Sequence, residues 1–129
     1  MQILNLGHVN ICTPLVEATV DFFAKGLGME PRPGPAMSAE LQNYWLYNQG
    51  GRALIHVIGI RPGDAARPEG ASRLDHFALD CAGLDACIER LDRLGIAFDR
   101  LEIASRKLVQ LNLSDPNGIK VELTFDAPA

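Results

Sequence analysis

Apolar positions along this chain follow two different periods. Leu84, Cys87, Ile88, Leu91 and Leu94 recur at helical spacing, and Gly95 stands where a left-handed C-terminal cap belongs. That spacing predicts a helix. A second helix is predicted over 15–25, where Thr13 offers a capping hydroxyl and Pro14 a proline at the first helical position. Elsewhere the pattern breaks into short aliphatic and aromatic runs separated by turn residues. These predict strands at 3–12, 43–47, 53–60, 74–80, 99–103, 107–113 and 119–125. Asp115-Pro116-Asn117-Gly118 has the residues of a reverse turn and is expected to close a hairpin. The stretch 30–36, with prolines at alternate positions and no apolar period, reads as a loop over a cleft mouth or at a dimer contact.

The pattern then repeats. Leu6-Gly7-His8-Val9-Asn10-Ile11-Cys12 resembles Leu74-Asp75-His76-Phe77-Ala78-Leu79-Asp80, with the histidines 68 positions apart. Leu27-Gly28 recurs as Leu94-Gly95, and Asn48-Gln49-Gly50-Gly51 as Asp115-Pro116-Asn117-Gly118, both at an offset of 67. His56 matches Glu122 at an offset of 66. Single-residue insertions account for the drift. The halves are a first module at 1–62 and a second at 72–129, joined by a linker at 63–71 inside a Pro-, Gly- and charge-rich run, together forming one domain. A module of about 60 residues hides only about 60% of its unfolded surface, so pairing two is the stable solution. Each half spells strand, helix and two or three further strands. The expected class is α+β, a helix on one face of a mainly antiparallel sheet, with the two free sheet faces forming a curved cleft.

Composition narrows the function. The chain has 129 residues, 47% apolar and 22% charged, enough for a substantial core. Its net charge of −4 and pI near 5.3, with no basic cluster, argue against nucleic acid as a partner. Apolar runs such as 53–60 are too short to cross a bilayer, and Met1-Gln2-Ile3-Leu4 lacks a basic segment before a signal core. A cytoplasmic protein with no membrane partner is expected. Cys12, Cys81 and Cys87 are odd in number and lack Cys-x-x-Cys spacing, which fits reduced structural thiols.

The chemistry-bearing residues fall on the repeat. All three histidines, His8, His56 and His76, lie in predicted strands among aliphatic residues, and Glu122 stands between Val121 and Leu123. A carboxylate in such a setting needs a partner. Imidazole and carboxylate are ordinary ligands of Zn²⁺, Ni²⁺, Mn²⁺ and Fe²⁺, so a pseudo-twofold relation between the halves would give one divalent metal ion the ligands His8, His56, His76 and Glu122. Two adjacent positions would remain on a six-coordinate ion. The expected partner is a small substrate presenting neighbouring oxygens, whose adjacent C–H or O–H the ion acidifies.

Those residues, with Thr13-Pro14, Leu27-Gly28 and the Asp115 to Gly118 turn leading into Val121-Glu122-Leu123, make the chain resemble the vicinal oxygen chelate superfamily over nearly its whole length. This group includes glyoxalase I, bleomycin-binding proteins and extradiol dioxygenases. The resemblance implies two paired βαβββ modules with helices on the outer faces of a mixed-sheet cleft, and ligands on the first and last strands of each. It also implies a metal-dependent enzyme. Glyoxalase-like lyase or isomerase chemistry would use Glu122 as base, with His56 as ligand or second acid/base group. In glyoxalase I a glutamate usually stands where this chain has His56. An extradiol-type Fe²⁺ dioxygenase would instead bind the ion through His8, His76 and Glu122 and leave His56 for proton transfer. The tyrosine such enzymes carry before the last metal strand is replaced here by Gln110 or Asn112. A third reading is a metal-free binding or drug-sequestering protein. By analogy the chain is expected to form a homodimer.

Other candidates for substrate contact are Asn10, which shares the parity of His8, and Gln110 and Asn112, which share a parity on a strand of the second module. Tyr44, Trp45 and Tyr47 complete the set, with Trp45 expected on the face opposite the two tyrosines.

Overall fold

The computed structural model describes residues 1–2, 4–34, 42–60 and 76–128. The linker, the end of the 30–36 stretch and the first residues of the predicted 74–80 strand lie outside them. The chain divides into two compact units, Met1–Ala66 and Arg67–Ala129.

In the first unit the elements are β1 (Val9–Thr13), α1 (Val16–Asp21) running into a π-helical turn at Phe22–Gly26, β2 (Glu30–Pro33), β3 (Asn43–Tyr47) and β4 (Ala53–Gly59). They form a four-stranded sheet in the order β1-β4-β3-β2. Strand β1 is parallel to β4 and the other pairs are antiparallel. Ile11, Thr13, Leu46, Ile55 and Val57 are buried on one face, and Val16, Thr19, Val20 and Phe23 are buried on the helix. The alternation along each strand sends every second side chain to this core, where a fully buried aliphatic residue is worth roughly 1.5–3 kcal/mol.

The second unit repeats the plan. Its elements are β5 (His76–Cys81), α2 (Leu84–Leu94), β6 (Asp99–Ile103), a 3-10 turn at Ala104–Arg106, β7 (Leu108–Ser114) and β8 (Lys120–Asp126). The order β5-β8-β7-β6 reproduces that of the first sheet, again with one parallel pair. Val109, Leu111 and Leu113 of β7 and Val121, Leu123 and Phe125 of β8 are buried, as is Leu91 of α2. Each unit is thus a mixed four-stranded sheet whose helix leads from the first strand, at one edge, to the second strand, at the other edge. This is the α+β module the repeat implied.

The repeat extends to the hydrogen bonds of the turns. In the first unit the Gly51 N–H donates to Asn48 O at 3.0 Å, and the Arg52 N–H donates to the Asn48 side chain at 2.8 Å. In the second, the Gly118 N–H donates to Asp115 O at 3.0 Å, and the Ile119 N–H donates to the Asp115 carboxylate at 2.9 Å. Gly51 and Gly118 share φ +78°, a left-handed conformation in which a Cβ is strained. Gly118→Ala is expected to cost about 1–2 kcal/mol, read as a lower urea midpoint.

Four local readings need correction. The predicted 3–12 strand begins only at Val9, because β1 pairs with β4 alone and its register starts at Val9 opposite Ile55. Helix α1 starts at Val16, not 15: the Thr13 hydroxyl accepts from the Leu15 N–H at 2.9 Å, a turn ahead of the helix, so Pro14 stands outside it. The stretch 30–36 begins as an edge strand, β2. Finally, Trp45 and Tyr47 share a face, because Arg32 is the cross-strand partner of Trp45 and also lies over the Tyr47 ring at 4.2 Å. Tyr44 alternates to the core face, opposite Val57.

Among the described residues no helix is long and apolar enough to cross a membrane. All three cysteines are free. Burial, with Cys87 and Asp80 adding to it, pushes the Cys81 thiol up to about 11, and burial also raises Cys87. Both therefore stay protonated and weakly nucleophilic at neutral pH.

Candidate functional site

In the first unit the parallel register sets Asn10 beside His56, and the antiparallel register sets Trp45 on its other side. Side chains directly opposite in a sheet project to the same face. His56 is only 9% exposed. Its Nδ1 accepts from the Asn10 amide at 3.1 Å, and its Nε2 is hydrogen-bonded to Oδ1 of Asn43. The Cys12 thiol donates to Oδ1 of Asn10 at 3.3 Å. The imidazole lies parallel to the Trp45 indole, with ring centroids 4.1 Å apart and an interplanar angle of 2°. His8, expected in a strand, instead lies exposed just before β1 and meets Trp45 edge-on at 4.9 Å.

Burial first, and then the nearby His8, hold the His56 imidazole below its ordinary value. The unfolded chain therefore takes up the proton before the folded one does. Stability contributed by His56 is complete above the ordinary imidazole value of 6.5 and is lost as pH falls toward the depressed folded value. The expected outcome is a urea midpoint that declines from about pH 7 to pH 5, with a shallower decline in His56→Phe.

In the second unit β5 and β8 bring His76 and Glu122 together. Nε2 of His76 lies 3.7 Å from Oε2 of Glu122. The other carboxylate oxygen is already held: Oε1 accepts from the Gln110 amide at 2.6 Å and from the Thr124 hydroxyl at 3.2 Å. Asn112 stands opposite Glu122 on β7. The Glu122 side chain is 16% exposed, the His76 side chain 38%. The pair is therefore half-sheltered and open toward His76.

The structure thus brings His76 to Glu122, and gathers His8 and His56 around Trp45. Among the described residues no group of three or more His, Cys, Asp or Glu side chains lies close enough to hold an ion. Two of the proposed substrate contacts have other partners: Asn10 holds His56 and Gln110 holds Glu122. Asn43 and Thr124 escaped the sequence reading. The repeat could have found Asn43, since it precedes Gln110 by 67 positions and the two amides hold the matching residues His56 and Glu122.

The donor chemistry of the second unit fits a divalent ion. Two bonds of about 2.1 Å at 90–109° set donor atoms roughly 3.0–3.4 Å apart, so the observed gap needs a small closure. A carboxylate whose second oxygen is fixed by hydrogen bonds is the usual form of a well-oriented ligand.

The Glyoxalase/Bleomycin resistance protein/Dioxygenase superfamily matches residues 5–123, and the chain belongs to that superfamily. It is similar to Glyoxylase I 4 of Arabidopsis thaliana, with 25% identity covering 95% of this chain and 71% of that protein. Its fold is shared by a glyoxylase/bleomycin resistance protein/dioxygenase domain from Frankia sp. EAN1pec. There the TM-score is 0.76 and the identity 18%, over 97% of this chain and 99% of that one. A glyoxalase/dioxygenase from Nostoc punctiforme gives a TM-score of 0.68 at 17% identity, over 96% and 92% of the two chains.

Proposed function

We propose that this chain is a divalent-metal-dependent enzyme of glyoxalase-like lyase or isomerase type, acting on a small molecule with adjacent oxygens. The observation that carries it is the His76–Glu122 pair, in which Oε1 is immobilised by Gln110 and Thr124 while Oε2 faces the imidazole. In this reading His76 and Glu122 are the residues of the second unit that hold the ion. When bound, the ion polarises a substrate oxygen and acidifies the neighbouring C–H or O–H.

Glu122 has a second part in this reading. Its two donors fix the carboxylate plane, so Oε2 is aimed, and when it is not serving as a ligand it is the oxygen able to exchange a proton with the substrate. The dioxygenase alternative asks for an acid/base imidazole at position 56, and both His56 nitrogens are engaged by amides. That favours the isomerase branch. The similarity to a plant glyoxylase I supports it as well.

Saturating Ni²⁺, Zn²⁺, Mn²⁺ or anaerobic Fe²⁺ is the first test. An ion at about 100 times its Kd stabilises the fold by roughly 2.7 kcal/mol, visible as a rise in Tm. Turnover of a thiol hemithioacetal with Ni²⁺ or Zn²⁺ supports the isomerase reading; oxygen uptake with catechols under Fe²⁺ supports ring cleavage instead. No thermal shift with any of the four ions overturns metal dependence and leaves a metal-free binding protein.

A further inference from the structure

The repeat places an amide next to the functional side chain of the last strand in each unit: Asn43 at His56 and Gln110 at Glu122. The consequences differ because the two side chains differ. An ionised carboxylate offers about four acceptor sites on two oxygens, so Glu122 accepts from both Gln110 and Thr124 and still presents Oε2. A neutral imidazole has one lone pair and one N–H. At His56 the lone pair of Nδ1 accepts from Asn10, and the Nε2–H donates to Asn43. Nothing remains for an ion.

The orientation of these amides is supported from outside the pair. The Cys12 thiol donates to Oδ1 of Asn10, which turns the Asn10 NH₂ toward His56 and so makes Nδ1 the acceptor. Asn43 is 7% exposed. The Gly34 N–H donates to its backbone carbonyl at 2.8 Å, and a Cβ added at Gly34 would overlap the Asn43 side-chain amide. The amide is therefore pinned by a close backbone approach that only glycine permits. Parallel stacking on Trp45 then fixes the plane of the imidazole.

We propose that His56 is not a metal ligand in this chain but an imidazole held as its Nε2–H tautomer to support Trp45, and that Asn43 is the positioning residue that holds it there. The inference rests on the proposed metal reading only for the ion used as a probe. It gives the two units different tasks: the second supplies a carboxylate able to ligate, and position 56 supplies a rigid ring.

The test is nitrogen NMR of the full chain labelled in its histidine rings, above the ordinary imidazole value, before and after adding Zn²⁺. The expected spectrum shows His56 as a single Nε2–H tautomer whose shifts Zn²⁺ leaves in place, while the nitrogens of His76 move. In Asn43→Ala, under conditions where circular dichroism shows the variant folded, His56 is expected to become a tautomer mixture and to move with Zn²⁺; an unchanged single Nε2–H tautomer in the folded variant overturns the role given to Asn43. The Kd for Zn²⁺ in His56→Phe is expected to stay within about threefold of the unaltered protein, against the 10–100-fold that loss of even an outer-shell partner of a ligand costs. Movement of His56 with Zn²⁺ in the unaltered protein overturns the inference and leaves the metal reading standing. If His76 fails to respond, the metal reading falls. The ion-free spectrum still decides the inference, because an Nδ1–H or mixed tautomer overturns it without any variant.

Discussion

Glu122→Ala is expected to lower the affinity for Ni²⁺ or Zn²⁺ by more than about 100-fold, the upper end of what an outer-shell partner of a ligand costs. The reason is local. Glu122 is a carboxylate that the structure places against His76, with its Oε2 at 3.7 Å from that imidazole. Removing it takes the carboxylate away from His76 and strands the Gln110 amide, which donates to Oε1 at 2.6 Å. Glu122→Gln separates the two effects. It keeps the shape and the acceptor toward Gln110 but removes the charge, so affinity is expected to fall while the denaturation midpoint moves little. Isothermal titration calorimetry beside urea unfolding reads both. Retention of near-native affinity in both variants would remove Glu122 from the ion site.

The second large effect is on the fold. Phe23→Ala is expected to cost about 3–5 kcal/mol, the range for truncating a fully buried aromatic side chain. Phe23 is 0% exposed and sits in the π-helical turn that ends α1. Its carbonyl also accepts from the Met29 N–H at 3.1 Å, which ties the turn to the chain entering β2. A cavity at this position undermines the helix and its exit together. Circular dichroism through a urea titration measures the loss, and a cost below about 1 kcal/mol would mean that the turn repacks around the gap.

Much of this was legible in the sequence because the halves share a pattern. Strands β3, β6 and the helix α2 fall at the positions their apolar spacing predicts, and Gly95 takes the left-handed cap conformation with φ +66°. Strand β2 was hidden by its prolines. The Gly34 N–H reaches Asn43 on the neighbouring strand, so the even-numbered backbone of this segment faces β3 and Pro31 and Pro33 lack N–H groups only on the outer edge. An edge strand tolerates that, and it also blocks pairing with another chain. Strand β1 was over-extended for the opposite reason: its residues suit a longer strand, and its single partner sets its length.

The site was half legible. Parity and offset single out His8, His56, His76 and Glu122 as candidates, since both depend only on position. They could not show that His56 would be enclosed by two amides, because that depends on the reach of Asn10 across one strand pair and Asn43 across another. The error at Trp45 has a simple cause: Tyr44 and Tyr47 differ in parity, so they cannot share a face of one regular strand.

The stacking of Trp45 on His56 has a practical consequence. It is the only tryptophan in the chain, and it belongs to the first unit. Intrinsic emission excited at the indole band is therefore a reporter of one half of the molecule, whereas peptide-band ellipticity sums both. Overlaying the two signals across a denaturant series separates concerted melting from stepwise melting without any labelling.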